Sequence, residues 1–220
     1  MRKIFLSTML LAAINPEDPT YYESDDFVLC DTQYNFPISY VIDGCVEPGD
    51  TVVIITAVEQ NEDGKQNNAV INYGMYQKEV QEILKNRNVL LQFEEIPLYK
   101  DFDSSTFNTF FKQVSALIQD EDILYTDITF GMKPYSISMF VAIAYAAKAA
   151  HDVRVDTVIY AQKYSGFSRA KTAEEKAKDP TKSKIYDITS LFYLNVIAGN
   201  AAAGQKAGLD HLLNFIIDEE

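Results

Sequence analysis

Short apolar runs alternate along the chain with stretches in which apolar residues recur every three or four positions. The runs predict six strands, at residues 3–6, 51–56, 89–93, 123–128, 153–160 and 184–187. Several are rich in Val and Ile, which is typical of strands buried on both faces. Strands that alternate with helices form right-handed βαβ units. The pattern therefore predicts an α/β fold, a Rossmann-like doubly wound, mainly parallel six-stranded sheet with helices on both faces.

The helical periodicity predicts the elements between these strands. They are expected at residues 31–42, 76–86, 104–118, 134–150, 189–197 and 208–217. Pro37 marks a start or a kink, and Pro134 suits a first helical turn. All elements fit a single domain over residues 1–220, closed by C-terminal helices within residues 189–220.

Charge and cysteine content narrow the function classes. With 19 Lys and Arg against 32 Asp and Glu, the chain has a formal net charge of −13. That charge argues against duplex DNA or a membrane as a partner, because both need a basic face. Cys30 and Cys45 form no C-x-x-C pair, which argues against a zinc or thioredoxin-like site. They are either a disulfide or two reduced, partly buried thiols, and the thiols are favoured because Cys is often a small core residue.

Two segments have two interpretations each. Residues 1–14 resemble a secretory signal, with a basic start and an apolar stretch, but Ser7 and Thr8 interrupt it early and favour a first buried strand. Residues 163–184 are the most basic stretch of the chain. They are either a solvated surface loop or a mobile lid that closes over an anion.

The candidate chemistry lies in two turns that follow strands. The predicted ligand-binding residues are Ser7, Thr8 and Met9 after the first strand, and Asp127, Thr129, Phe130, Gly131, Met132 and Lys133 after the fourth. If these strands are neighbours, both turns lie at the carboxyl edge of the sheet, where open α/β sheets bind ligands. Their hydroxyls, backbone amides and one cation suit an anion. Helix capping by Asp127 and Thr129 and a solvated Lys133 are the structural alternatives.

Several common motifs are missing from the sequence. No G-x-G-x-x-G follows the first strand, and the chain has no phosphate-binding loop of nucleotide triphosphatases, no G-x-S-x-G elbow and no H-E-x-x-H. The acidic clusters beside the loops are typical of solvated surfaces. We therefore expect no metal and no cofactor.

Four segments resemble CARF domains, the CRISPR-associated Rossmann-fold sensors of type III CRISPR systems. They are Lys3-Ile4-Phe5-Leu6-Ser7-Thr8, Asp31-Thr32-Gln33-Tyr34 at the start of the first helix, Asp127-Ile128-Thr129-Phe130-Gly131-Met132-Lys133-Pro134, and Lys184-Ile185-Tyr186-Asp187-Ile188-Thr189 with Leu191 and Leu194. The third is similar to a motif written D-x-T-H-G-F-R. Phe130, Met132 and Lys133 replace its His, Phe and Arg, and Lys lacks the planar fork that binds phosphate through two hydrogen bonds.

The resemblance implies a cytoplasmic homodimer that binds a cyclic oligoadenylate on its two-fold axis in antiviral defence. Cyclic tetra-adenylate is the favoured ring, with hexa-adenylate as the other candidate, and the chain would be either a stand-alone sensor or part of a longer effector. An alternative is a metal-independent ring nuclease in which Lys133, Ser7 and Thr8 are catalytic, although neither turn has a histidine to act as a base. A generic nucleotide- or flavin-binding domain is the third hypothesis.

Overall fold

One mostly parallel sheet organises the computed structural model, which describes residues 1–15, 22–61, 65–99, 104–162 and 183–200. Within these residues the strands are β1 Arg2–Thr8, β2 Tyr22–Glu23, β3 Thr51–Glu59, β4 Leu90–Leu98, β5 Ile123–Asp127, β6 Arg154–Gln162 and β7 Ser183–Asp187. Their order across the sheet is β2-β7-β6-β5-β1-β3-β4. Without the short β2, this is the doubly wound arrangement in which the strand order reverses beside the first strand.

The first strand lies at the centre of the sheet. β1 pairs in parallel with β3 on one side and with β5 on the other, while β6 and β7 are antiparallel. The strand interpretation of the N-terminal residues is therefore confirmed for Arg2–Thr8. The first and fourth predicted strands, β1 and β5, are neighbours, which is the condition under which the two candidate turns were expected to meet.

All six predicted strands are present, and one strand was missed. β2 spans two residues, Tyr22–Glu23, and has no apolar run that could have signalled it. β4 continues five residues beyond its predicted end at residue 93. β4 is the last strand on its side of the sheet, and its surface is half exposed, so the charged residues Glu94 and Glu95 can lie within it. These two residues interrupt the apolar run from which the strand was predicted.

The described helices are α1 Pro37–Cys45, α2 Asn68–Leu84, α3 Ser104–Leu117, α4 Lys133–Ala149 and α5 Thr189–Asn200. The first helix begins at Pro37 rather than at residue 31, so the segment Asp31 to Tyr34 precedes the helix. α2 begins eight residues before its predicted start, because the Asn67 side chain caps it by accepting a hydrogen bond from the Val70 amide. The predicted helix at residues 208–217 lies outside the described residues.

Helices cover both faces of the sheet, as predicted. α1 and α2 pack on one face, where Phe5 of β1 stacks on Tyr125 of β5 with ring centroids 4.7 Å apart. α3, α4 and α5 pack on the other face around Phe110, Met139 and Phe192. The carboxyl ends of β1 and β5 lie between the starts of α1 on one face and α4 on the other. The two candidate turns follow these strand ends.

The cysteines and the helices can be compared with what the composition predicted. Both cysteines are free thiols, as expected; Cys45 is partly buried, also as expected, whereas Cys30 is exposed, which corrects the prediction for that residue. None of the described helices is long and apolar enough to cross a bilayer. Of the basic segment, residues 163–182 lie outside the described part of the chain.

Candidate functional site

The two predicted turns lie against each other at the carboxyl edge of the sheet. Ser7 and Asp127 are register partners on the adjacent strands β1 and β5. One residue further on, the Thr8 hydroxyl donates a hydrogen bond to the backbone carbonyl of Phe130. The sequence predicted this proximity on the condition that the two strands are neighbours, and the hydrogen bond fixes one turn on the other.

Gly131 is required at this junction for two separate reasons. Its φ angle is +83°, in the left-handed region that side chains with a Cβ rarely adopt. A Cβ at this position would lie 2.6 Å from Thr8 Oγ1 and 2.8 Å from Thr8 Cβ. Glycine therefore allows the second turn to approach the first.

Asp127 is a buried carboxylate without an ion-pair partner among the described residues. Burial raises its pKa to about 6, while the hydroxyl and amide of Thr129 and the amide of Ile38 lower it. The Thr129 amide donates to Asp127 Oδ1 at 2.8 Å. Ile38 lies in the first turn of α1, which has no side-chain cap of its own. The structural role predicted as the alternative for Asp127 is therefore observed. Its carboxylate lies at the start of α1 and accepts the hydrogen bond that closes the turn to Thr129.

Thr129 connects the second turn to the neighbouring strand β6. Its hydroxyl accepts a hydrogen bond from the Ala161 amide at 2.7 Å. Ser136, one turn into α4, places its hydroxyl 3.4 Å from the Ile128 carbonyl. The turn between β5 and α4 is therefore held from β1, β6 and α4 at once.

A row of buried polar side chains runs across three strands at this edge. Thr56, Ser7 and Asp127 are successive register partners, so they point to the same face of the sheet, and Tyr76 of α2 packs beside them. Within the described structure, Thr56 Oγ1, Ser7 Oγ, Asp127 Oδ2 and Tyr76 OH have no hydrogen bond of normal geometry. Burial and the nearby Asp127 carboxylate raise the pKa of Tyr76, whereas the Ser7 hydroxyl lowers it.

A second carboxylate also holds the start of α1. Glu79 of α2 accepts hydrogen bonds from the Asn35 amide at 2.8 Å, the Phe36 amide at 3.3 Å and the Ser39 hydroxyl at 2.6 Å. Burial raises the pKa of Glu79, and these hydrogen bonds lower it. Glu79 therefore fixes the start of α1 from the side of α2.

The predicted residues differ in accessibility. Gly131 and Lys133 are exposed, and Thr129 and Met132 are partly exposed. The others are buried: Ser7, Thr8, Met9, Asp127 and Phe130. The accessible surface of the edge thus consists of the Gly131 turn and the start of α4, where Met132 supplies no side-chain cap. The buried residues support this surface from below.

An open cleft of about 660 Å³ lies elsewhere, between α1 and α2. It contains none of the predicted site residues and is lined by Thr32, Gln33, Tyr34, Asp43, Lys78, Glu79, Glu82 and Ile83. The Tyr34 hydroxyl donates to Asp43 at 3.0 Å, and Arg87 pairs with the same carboxylate. Tyr34, Asp43 and Arg87 therefore satisfy one another at one side of the cleft.

Sequence reasoning missed three residues that build the site. Thr56 carried a usable signal, because it is the polar residue at which the predicted strand 51–56 ends, although β3 continues to Glu59. Tyr76 and Glu79 carried none, since only the packing of α2 on the sheet brings them to this edge.

Similarity to known proteins is found among solved structures. No protein-family model matches the chain, and no curated protein matches its sequence. Among solved structures it is similar to Enterococcus italicus Csm6 bound to cyclic hexa-2′-fluoro-hexa-dAMP, with 13% identity and a TM-score of 0.47. The match covers 99% of this chain and 55% of the other, so this chain spans about half the length of that protein.

Proposed function

We propose that this chain is a cyclic oligoadenylate sensor that binds its ring at the carboxyl edge of the sheet. One observation carries the proposal: the Thr8 turn and the Gly131 turn are locked together there, beside the exposed Lys133 at the start of α4. Helix starts favour anions, and a lysine beside one adds a full positive charge. The resemblance of both turns to CARF motifs supplies the class of ligand.

The accessible residues would contact the ring directly. Lys133 and the backbone around Gly131 and Met132 would meet phosphate oxygens, with the Thr129 region beside them. Ser7, Thr8, Met9, Asp127 and Phe130 would position that surface and respond to it, because their side chains are buried. A protein of net charge −13 can bind such a polyanion when a few donors are concentrated at one place.

Two-fold symmetry matches the protein to the ligand. A ring with an even number of adenylates can carry a two-fold axis, and a symmetric homodimer offers the same donors twice. Cyclic tetra-adenylate is the favoured ring and cyclic hexa-adenylate the second candidate. In this role the chain would switch an effector domain, fused to it or associated with it, by a change in dimer geometry.

Calorimetric titration with cyclic tri-, tetra- and hexa-adenylate tests the proposal. We expect one ring per dimer and an intact ring after incubation, as judged by chromatography. Conversion to linear adenylates in excess chelator would instead indicate the ring nuclease. No binding of any ring would contradict the proposal, and flavin absorbance in the purified protein would favour the generic nucleotide-binding domain.

Lys133→Ala tests the site itself. One ring would meet Lys133 of both copies, and loss of each charge-assisted hydrogen bond to phosphate costs roughly 1.5–3 kcal/mol, so we expect affinity to fall by roughly 100-fold or more. Lys148→Ala is the matched control, because Lys148 lies in the last turn of the same helix and should leave affinity almost unchanged. Equal affinities of the two variants would contradict the assignment of Lys133.

A further inference from the structure

The segment that directly follows β1, residues 9–15, is bound to α2 by a buried asparagine. Asn72 is only 1% exposed, and its side-chain amide donates to the Leu10 carbonyl and to the Ala12 carbonyl, each at 2.8 Å. A side-chain amide has two N–H groups, so both are used on this one segment. The donor groups of Asn72 therefore serve to hold the backbone that leaves the carboxyl end of β1.

Three consecutive peptide planes of this segment have the same orientation relative to α2. Asn68, one helical turn before Asn72, donates to the Leu11 carbonyl at 3.2 Å, so three carbonyls in a row point towards the helix. In a trans peptide the N–H group points in the direction opposite to the carbonyl. The backbone amides of Leu11, Ala12 and Ala13 therefore point away from α2 as three neighbouring donors.

These three amides are unpaired and accessible. In the part of the chain that the structure describes, none of them donates a hydrogen bond. All three residues are exposed, and Ala12 and Ala13 carry only methyl groups, so a ligand can reach the backbone. Neither residues 9–15 nor residues 68–77 of α2 include a carboxylate that would repel an anion. Successive amides that point the same way form a concave anion-binding site.

From this geometry we infer that Asn72 and Asn68 are positioning residues, which turn the three amides outward to form a phosphate-binding site. The site lies beside the Gly131 turn, because the segment begins directly after Thr8, whose hydroxyl bonds that turn. The identification of the anion as a phosphate of the ring rests on the proposed function. In that role the segment supplies uncharged donors on the α2 side of the sheet, while Lys133 supplies a charge on the α4 side.

Nuclear magnetic resonance of isotope-labelled protein tests the site directly. The amide protons of Leu11, Ala12 and Ala13 are followed during titration with inorganic phosphate, with chloride at the same ionic strength as the reference, and then with cyclic tetra-adenylate. A hydrogen bond to a phosphate oxygen moves an amide proton downfield. We therefore expect a saturable downfield shift of all three amide protons when the ring is added.

Asn72→Leu tests the positioning role, because leucine has nearly the shape of asparagine and no N–H group. We expect the downfield shifts to disappear and ring affinity to fall by roughly tenfold or more, since one ring would lose several hydrogen bonds from each of two copies. Asn68→Ala is a second variant, which removes the exposed contact to Leu11 and leaves the buried position unchanged.

Asn67→Ala is the matched control for both variants. Asn67 also lies at the start of α2, and its side chain donates to the Glu59 carbonyl at 2.9 Å, so its loss should lower stability without releasing residues 9–15. The amide shifts and the ring affinity of this variant should therefore match those of the wild-type protein.

Each outcome separates the site from the proposed function. A ring that binds without shifting the three amide protons would overturn the inference and leave the proposed function standing. Shifts with inorganic phosphate in a protein that binds no ring would support the site and contradict the proposed function. Amide protons that respond to neither phosphate nor ring would overturn the inference, as would wild-type ring affinity in both Asn72→Leu and Asn68→Ala.

Discussion

The amino and carboxyl edges of the sheet, where the parallel strands begin and end, differ in whether a buried carboxylate has a cation beside it. At the amino edge, Lys3 Nζ lies 2.7 Å from Asp50 Oδ2 and donates to the Cys45 carbonyl at 2.6 Å. At the carboxyl edge, Asp127 has no cation beside it within the described structure. Burial alone would raise the pKa of Asp50, but its hydrogen bonds from Lys3 and the Glu47 amide lower it, whereas the pKa of Asp127 is raised. Lowering the pH therefore removes stability at the amino edge, where Asp50 loses its charge, and adds stability at the carboxyl edge, where Asp127 becomes neutral.

This difference indicates that the amino edge mainly stabilises the fold and that the carboxyl edge serves the proposed function. At the amino edge, Lys3, Asp50 and the Cys45 carbonyl satisfy one another and hold β1, β3 and the end of α1 together. At the carboxyl edge, polar atoms of Ser7, Thr56, Asp127 and Tyr76 are buried without hydrogen bonds of normal geometry. Burying a polar atom without a hydrogen bond lowers the stability of the fold, so such atoms indicate a role other than stability. These atoms lie at the edge that carries the exposed surface assigned to the ligand.

The largest expected effect is on the amino edge. Lys3→Met removes the buried cation of Asp50 and leaves only the exposed N-terminal ammonium, 3.2 Å from Asp50 Oδ1, so we expect a loss at the lower end of roughly 3–5 kcal/mol in urea unfolding. Lys85→Met is the control, because Lys85 and Glu82 form an exposed pair worth at most about 1 kcal/mol. Ring affinity of the folded Lys3→Met protein should stay unchanged. A large loss of affinity would mean that the two edges are coupled.

Gly131→Ala should affect both stability and ligand binding at the carboxyl edge. The strained φ and the overlap with Thr8 together cost about 3 kcal/mol, and the turn that presents Lys133 must move. Gly74→Ala is the control: Gly74 is inside α2 with no atom within 4 Å of an added Cβ, so helix propensity should stabilise it by up to about 1 kcal/mol. Normal ring affinity in Gly131→Ala would separate the turn from the binding site.

Asp127 makes a prediction about pH. Its folded pKa of about 6 lies above the ordinary value of 3.8, so between these values the folded state binds the proton and the unfolded state does not. Stability from this group is therefore present at low pH and is lost as pH rises towards 6, by at most about 3 kcal/mol. Asp127→Asn should remove that part of the slope, and the exposed Asp152→Asn should retain it. Identical slopes in both variants would contradict the assignment.

The smallest expected effect concerns Tyr76. Its hydroxyl is fully buried and lacks a hydrogen bond of normal geometry, so Tyr76→Phe should change the free energy of unfolding by less than about 1 kcal/mol. Ser39→Ala is a useful comparison on the same side of the sheet. Its hydroxyl donates to Glu79, and its loss should cost more than the loss of the Tyr76 hydroxyl. The opposite ranking would mean that the Tyr76 hydroxyl has a strong partner.

Much of the fold and half of the site were predictable from local pattern. The six apolar runs indicated six strands, because strands buried on both faces need continuous apolar sequence. The polar residues that end two of these runs, Ser7 and Asp127, indicated the edge where a ligand could bind. Helix starts were harder to predict, and α1 begins at Pro37 because the segment before it is held by Glu79 rather than by helical hydrogen bonds.

The sequence by itself determined the α/β class, the alternation of strands and helices, the net charge and the two turns that carry the candidate chemistry, because these depend on neighbouring residues along the chain. Tertiary structure alone decided that Thr8 bonds to Phe130, that Tyr76 and Glu79 join the edge, and that Ile137, Val141 and Tyr145 stay exposed. Those features depend on which elements pack together over long separations. An apolar residue on a helix has the same local pattern whether it faces the core or awaits a partner.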